Sequence, residues 1–177
     1  MRWLIRSIVG MLLLVLLGIV YQALETALDG QRYPPPGRLV DVGGHELHLY
    51  CLGEGTPTVI LESANIGWSL YWTKVQSDLS SLTRVCSYDR AGLGWSERGP
   101  SPRTGRQIAK ELHTLLVRAR ISGPYILVGH SIGGFVTRLY RESYREDVVA
   151  MVLVDAHHER QFDEEEFRKF ITSAKTA

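Results

Sequence analysis

Residues 127–134 read LVGHSIGG and hold one serine, Ser131, with a glycine two positions away on either side. A serine hydroxyl is a poor nucleophile at neutral pH unless a base takes its proton. The flanking residues supply the other half of such chemistry. YILV, residues 125–128, is an apolar run of strand type, and Phe135, Val136 and Leu139 follow at helical spacing. A serine at a sharp strand-to-helix turn sits in a strained backbone conformation, with its Oγ lifted clear of the sheet. Side chains two residues away would crowd that turn, which accounts for Gly129 and Gly133. The Oγ then stands at the positive end of the following helix, and the N–H of Ile132 faces the place where an oxyanion would form. The chemistry to which these residues point is attack on an acyl carbonyl.

Such a turn needs a sheet beneath it. RLVDV and ELHLYCL, residues 38–42 and 46–52, flank Gly43-Gly44-His45, a hairpin signal. In the second run Leu47, Leu49 and Cys51 alternate with His48 and Tyr50, the pattern of a half-buried strand. TVILE, residues 58–62, is a continuous apolar run typical of a strand covered on both faces. Trp72, Val75 and Leu79 fall at helical spacing, and RVCSYD, residues 84–89, reads as a strand. Ile108, Leu112, Leu115, Leu116 and Ala119 define one helix face, and VVAMVLVDA, residues 148–156, is a further strand. A hairpin followed by strand–helix alternation implies a mostly parallel sheet with helices on both faces. Chemistry in such sheets gathers at the carboxyl ends of the strands, where Ser131, Asp89 and the segment 62–65 fall.

At this point the chain resembles the α/β-hydrolase fold family of esterases, lipases and peptidases, over about residues 38–158. Three segments carry the resemblance in order. VILESANIGWSLYW is similar to the oxyanion loop after the third strand, YDRAGLGWS to the loop after the fourth, and LVGHSIGG to the serine turn after the fifth. The resemblance implies Ser131 as nucleophile, the N–H groups of Ile132 and Ala64 as oxyanion donors, and no metal or cofactor. Relatives often begin the oxyanion loop with His-Gly where this chain has Glu62-Ser63. Asn65 is a second candidate donor or a turn former. Asp89 and Arg90 match a family loop that mostly braces the site, which implies a structural role for them in preference to substrate contact. Trp68, Trp72 and Trp95 either line an acyl pocket or pack. The family sheet also sets the second strand beside the fourth, which puts Cys51 and Cys86 on adjacent strands and allows a disulfide if the domain is exported. Read without the family, those cysteines are two small buried hydrophobes, without CxxC spacing or histidines at metal-ligand spacing.

Where the base lies is harder to read. His130 adjoins Ser131, but consecutive residues at the turn project in different directions, so its imidazole cannot meet the neighbouring Oγ in useful geometry. His45 and His48 belong to the remote hairpin, and His113 to a helix face among charges. Family order is serine, acid, histidine. Asp155 stands where some relatives place the acid, with His157 and His158 close behind it. Against that reading, Asp155 is a strand-end residue capping a turn, followed by FDEEEFRKF, a charged helix face. The family base arrives on a separate loop after the final strand, and residues 159–177 hold no histidine. The chain is therefore expected to be the amino-terminal part of a longer hydrolase, without the last two family strands and nearly inactive alone. Two other expectations remain open: a membrane-anchored binding module that keeps the fold but not the reaction, and a cofactor-free haloperoxidase or acyltransferase.

The 177 residues suffice for one core, and 45% apolar with 22% charged residues is an ordinary globular balance. Twenty basic against nineteen acidic residues leave +1, with no positive field of the kind nucleic-acid binding needs. The expected partners are a small acyl substrate and a membrane, with the oligomeric state unspecified. From Ser7 to Leu24 no residue is charged, a stretch that approaches the bilayer's hydrocarbon thickness as a helix. Arg2 and Arg6 precede it, and Glu25 and Asp29 follow. The basic flank keeps the amino terminus cytoplasmic and sends the domain outward. Ala23 and Ala27 make a poor cleavage site beside these acids, so an uncleaved anchor is favoured over a secreted protein freed of its signal peptide. The expected plan is an anchor at 1–28, a proline-rich linker at 29–37 and a partial α/β-hydrolase domain at 38–177.

Overall fold

A computed structural model describes residues 2–157. The chain divides into two compact units, one ending at Pro36 and one beginning at Gly37. The first is helix α1 (Arg2–Arg32), with no buried residue, long and apolar enough to cross a membrane. It runs past Leu28 and Gly30, so residues 29–32, expected in the linker, are helical. Pro34-Pro35-Pro36 comes next; prolines lack the N–H that a helix interior needs and clash with the preceding turn.

The second unit is built on strands β1 (Arg38–Asp41), β2 (Glu46–Leu52), β3 (Thr58–Glu62), β4 (Val85–Tyr88), β5 (Tyr125–His130) and β6 (Val148–Val154). They form one sheet in the order β1-β2-β4-β3-β5-β6. β1, β2 and β4 pair antiparallel, whereas β4, β3, β5 and β6 run parallel. Helices α2 (Thr73–Leu79), α3 (Gly105–Arg118) and α4 (Ile132–Ser143) fill the connections. The β1–β2 turn matches its sequence signal: Gly43 and Gly44 adopt φ of 114° and 102°. Their N–H groups bond Asp41 Oδ1 at 2.8 and 2.9 Å and hold that carboxyl below its usual pKa.

β3 explains its unbroken apolar sequence. Ile60 packs on one face of the sheet with Leu112, Leu115, Leu116, Val136 and Tyr140 of α3 and α4. Val59 and Leu61 pack on the other with Trp72, Val85 and Val128. Leu112, Leu115 and Leu116 are wholly buried, and each contributes about 1.5–3 kcal/mol by leaving water. The far edge differs. In β6, Val149, Val152, Leu153 and Val154 are exposed.

Two expectations need correction. Val75 faces solvent, and Gln76 fills the buried position on α2 instead. Its Nε2 donates to Tyr50 O at 2.8 Å and Val85 O at 3.1 Å, and its Oε1 accepts from Ser87 Oγ at 2.7 Å. A buried amide with its hydrogen bonds made costs little, so apolar periodicity misjudged which side of this short helix faces inward. His48 is not an outward residue of a half-buried strand but wholly buried, because the loop after β4 folds over it. Between the two readings left open for Cys51 and Cys86, the structure decides against two free buried hydrophobes: they form the disulfide that the family sheet allows. They stand directly opposite each other in the β2–β4 register, a separation that alternation along one strand cannot reveal.

Candidate active site

β5 ends at His130 and α4 begins at Ile132, so the whole reversal falls on Ser131, at φ 55° and ψ −122°. Such a conformation costs a non-glycine residue about 1–3 kcal/mol and persists only when its surroundings hold it. Here they do. The Ser131 N–H donates to Val154 O at 3.1 Å, and the Ser131 carbonyl accepts from the N–H groups of Gly134 at 3.1 Å and His157 at 3.2 Å. The two flanking glycines serve different ends. A Cβ on Gly129 would stand 2.6 Å from Gly134 Cα and 2.7 Å from Gly133 O, inside the turn itself. A Cβ on Gly133 would instead meet Ser63 O at 2.6 Å and Glu62 O at 2.7 Å. Gly133 therefore lets the start of α4 touch the loop after β3.

That contact fits the register. β3 and β5 are parallel neighbours with Glu62 opposite Gly129, so Ala64 and Ser131 each lie two residues beyond that pair on adjacent strands. The Ile132 N–H belongs to the first turn of a helix, where no helical carbonyl is available to it. Among the described residues neither it nor the Ala64 N–H is engaged in a hydrogen bond. Asn65 is exposed at the surface of the loop, and Gly67 N–H donates to Ala64 O at 3.1 Å to close the turn.

Beneath this loop lies a polar network. Glu62, wholly buried, accepts from the Tyr88 hydroxyl and faces Arg90 Nε at 3.4 Å. Arg90 Nη2 donates to the carbonyls of Ser63, Ala64 and Asn65. Burial pushes the Glu62 carboxyl up, against the pull of Arg90 and Tyr88. Burial and the nearby carboxylate also raise the Tyr88 phenol. Asp89 balances the other way: burial opposes its charge, but His48, at 3.0 Å, and the N–H groups of Ser69 at 2.7 Å and Trp95 at 3.0 Å hold its carboxyl below the usual value. Tyr88 drew no notice in the sequence. Its signal was the pairing of an acid ending β3 with a base just past β4, legible only once those strands are known to be neighbours.

The remaining candidates separate. Asp155 is exposed, at φ 42°. His157 bonds through its main chain, donating to Ser131 and accepting from Arg138 Nη2 at 2.6 Å. The chain folds back across the turn after β6 and so brings the His157 backbone to hydrogen-bonding distance of Ser131. His158 lies outside the described residues. Trp72 packs in the core beside His130, edge-on at 6.4 Å. Trp95 lies against His48 at 4.9 Å, and half-buried Trp68 meets Tyr71 edge-on at 5.7 Å. His45 is buried 3.4 Å from Glu111, and His113 stacks on Tyr144.

The fold has known relatives. A family model described as the alpha/beta hydrolase fold matches residues 57–172. A probable transporter from Hormonema carpetanum is 38% identical over 125 residues, 66% of this chain and 18% of that protein. An uncharacterized vacuolar membrane protein from Saccharomyces cerevisiae is 29% identical over 133 residues, 65% of this chain and 21% of that protein. Among solved structures, a putative lipase from Acinetobacter baumannii shares the fold at a TM-score of 0.65 and 24% identity, covering 75% of this chain and 46% of the lipase. The chain thus spans less than half the length of each of these proteins.

Proposed function

Because this chain belongs to the α/β-hydrolase fold family, we propose that it represents a serine hydrolase of ester, thioester or amide bonds in a small, mostly apolar acyl substrate. Ser131 is the nucleophile. Its Oγ attacks the carbonyl carbon, the carbonyl π pair moves onto oxygen, and the N–H groups of Ile132 and Ala64 receive the resulting oxyanion. The observation that carries this reading is the strained turn at Ser131 with Gly133 pressed against the Glu62–Ser63 carbonyls. Nothing in a plain strand-to-helix connection asks for that strain or that contact. In the family the base that takes the serine proton is a histidine that follows the serine and an acid in chain order. Without it, the oxyanion donors and substrate binding still give a residual reaction, of about 10³–10⁴-fold over water in comparable cases.

The domain faces an oxidising compartment, held by α1 as an uncleaved anchor with Arg2 and Arg6 on the cytoplasmic side. Two independent features support this: the basic flank of an apolar helix, and a Cys51–Cys86 disulfide, which reducing compartments disfavour.

The full chain in detergent micelles, treated with a fluorophosphonate and digested for mass spectrometry, tests the assignment. Slow modification confined to Ser131, and absent from Ser131→Ala, is expected. Equal labelling of Ser131→Ala, or label spread over other hydroxyls, refutes it.

A further inference from the structure

The loop after β3 is organised around a buried cation. Arg90 is 7% exposed. One of its nitrogens, Nη2, stands among three successive carbonyl oxygens, those of Ser63 at 3.3 Å, Ala64, and Asn65 at 3.0 Å. Its Nε faces Glu62 at 3.4 Å, and Tyr88 bonds the other carboxylate oxygen. Burying such a pair costs several kcal/mol per ion, and well-packed apolar residues in its place are often as stable or more so. Stability alone is therefore a poor reason for it.

Direction is a better one. In a trans peptide the C=O and the following N–H point to opposite sides. Three adjacent carbonyl dipoles turned the same way repel one another unless a positive charge gathers them. Arg90 gathers them, so the N–H groups of Ala64, Asn65 and Ile66 face the opposite side of the loop. Resting on the serine-hydrolase reading above, we propose that Arg90 is a positioning residue for the oxyanion: steadied by Glu62 and Tyr88, it turns the Ala64 N–H toward the acyl oxygen of a substrate attacked by Ser131. It touches no reacting atom. Asp89, its neighbour in sequence, is committed instead to Ser69, Trp95 and His48.

The test compares two acyl donors on the full chain: p-nitrophenyl acetate and its thionoester, in which sulfur replaces the carbonyl oxygen. Sulfur is larger and a weaker hydrogen-bond acceptor, so aimed donors favour the oxygen ester. The ratio of Ser131 acylation rates, read by intact mass at pH 9, reports that aim. A loss of general folding quality lowers both rates and leaves the ratio alone. In Arg90→Lys, one ammonium cannot serve both Glu62 and the three carbonyls. In Arg90→Met with Glu62→Gln, no buried charge is left unpaired, so this variant covers the case in which Arg90→Lys fails to fold. The expected result is a ratio about tenfold lower than wild type in either variant, part of the 10²–10³ that loss of an oxyanion donor costs. An unchanged ratio in whichever variants fold overturns the proposal while leaving Ser131 its role. A wild-type chain acylated elsewhere than Ser131 removes the underlying reading, and this one with it.

Discussion

Gly133→Ala isolates the contact between the start of α4 and the loop after β3. The added Cβ would stand 2.6 Å from Ser63 O and 2.7 Å from Glu62 O, about 0.7–0.8 Å short of an ordinary contact. Both atoms are backbone, so no rotamer change relieves the clash; the loop or the helix must shift by most of that distance. Overpacking of this kind costs about 1–3 kcal/mol. The larger effect is on reaction, because a 1 Å misplacement can cost about 10²-fold, and a shift of this size projects to a 10- to 100-fold slower acylation of Ser131. Gly105→Ala is the matched control. Its Cβ would approach Leu139 Cδ1 at 2.7 Å and Phe135 Cε1 at 2.9 Å, side-chain tips that can swing aside. Urea unfolding measures the stability change, and the rise of the acetylated mass after p-nitrophenyl acetate measures the rate. A Gly133→Ala chain within 0.5 kcal/mol and about twofold of wild type would refute the argument that this glycine lets the loop dock.

Replacing Cys51 and Cys86 together by alanine removes a cross-link between residues 35 apart in sequence. The chain-entropy estimate is about 4 kcal/mol, visible as a lower urea midpoint than that of the oxidised wild type; equal midpoints would contradict it. Asp89→Asn should destabilise the domain most at neutral pH and least in acid. The Asp89 pKa is depressed in the folded state, so its contribution is full above the unfolded value of about 3.9 and is lost as pH falls through the folded one. Urea midpoints at pH 7 and pH 3 should therefore converge for mutant and wild type in acid, and a constant gap would count against it. His157→Ala should leave Ser131 acylation within about twofold of wild type, because its contacts with Ser131 and Arg138 are main-chain; a tenfold loss would make His157 the base. A periplasmic alkaline phosphatase joined after residue 37 in a bacterial host should be active, and more so than in a chain with Arg2→Glu and Arg6→Glu; activity only in the latter would reverse the orientation.

Much of the site was legible because its rules are local. A turn that must place a hydroxyl at a strand end tolerates no Cβ at Gly129, and the helical face behind Ser131 shows in Val136 and Leu139. β3 announced itself by apolar residues on both faces. The network under the loop was not legible in the same way. Glu62 registered only as a departure from His-Gly, Tyr88 not at all, and alternation along β2 set His48 on the outward side.

Local patterning by itself determined which segments become strands and helices, where the chain reverses at Ser131, and that an apolar helix precedes the domain, because each depends on side chains a few positions apart. Only the tertiary structure decided that Cys51 and Cys86 stand directly opposite each other and are bonded, that Gln76 and not Val75 turns inward, and that Arg90 collects the carbonyls of a loop some 25 residues earlier. Those outcomes depend on which strands lie side by side. Strand order brings distant residues into contact through the sheet, and no periodicity along one strand records its neighbour.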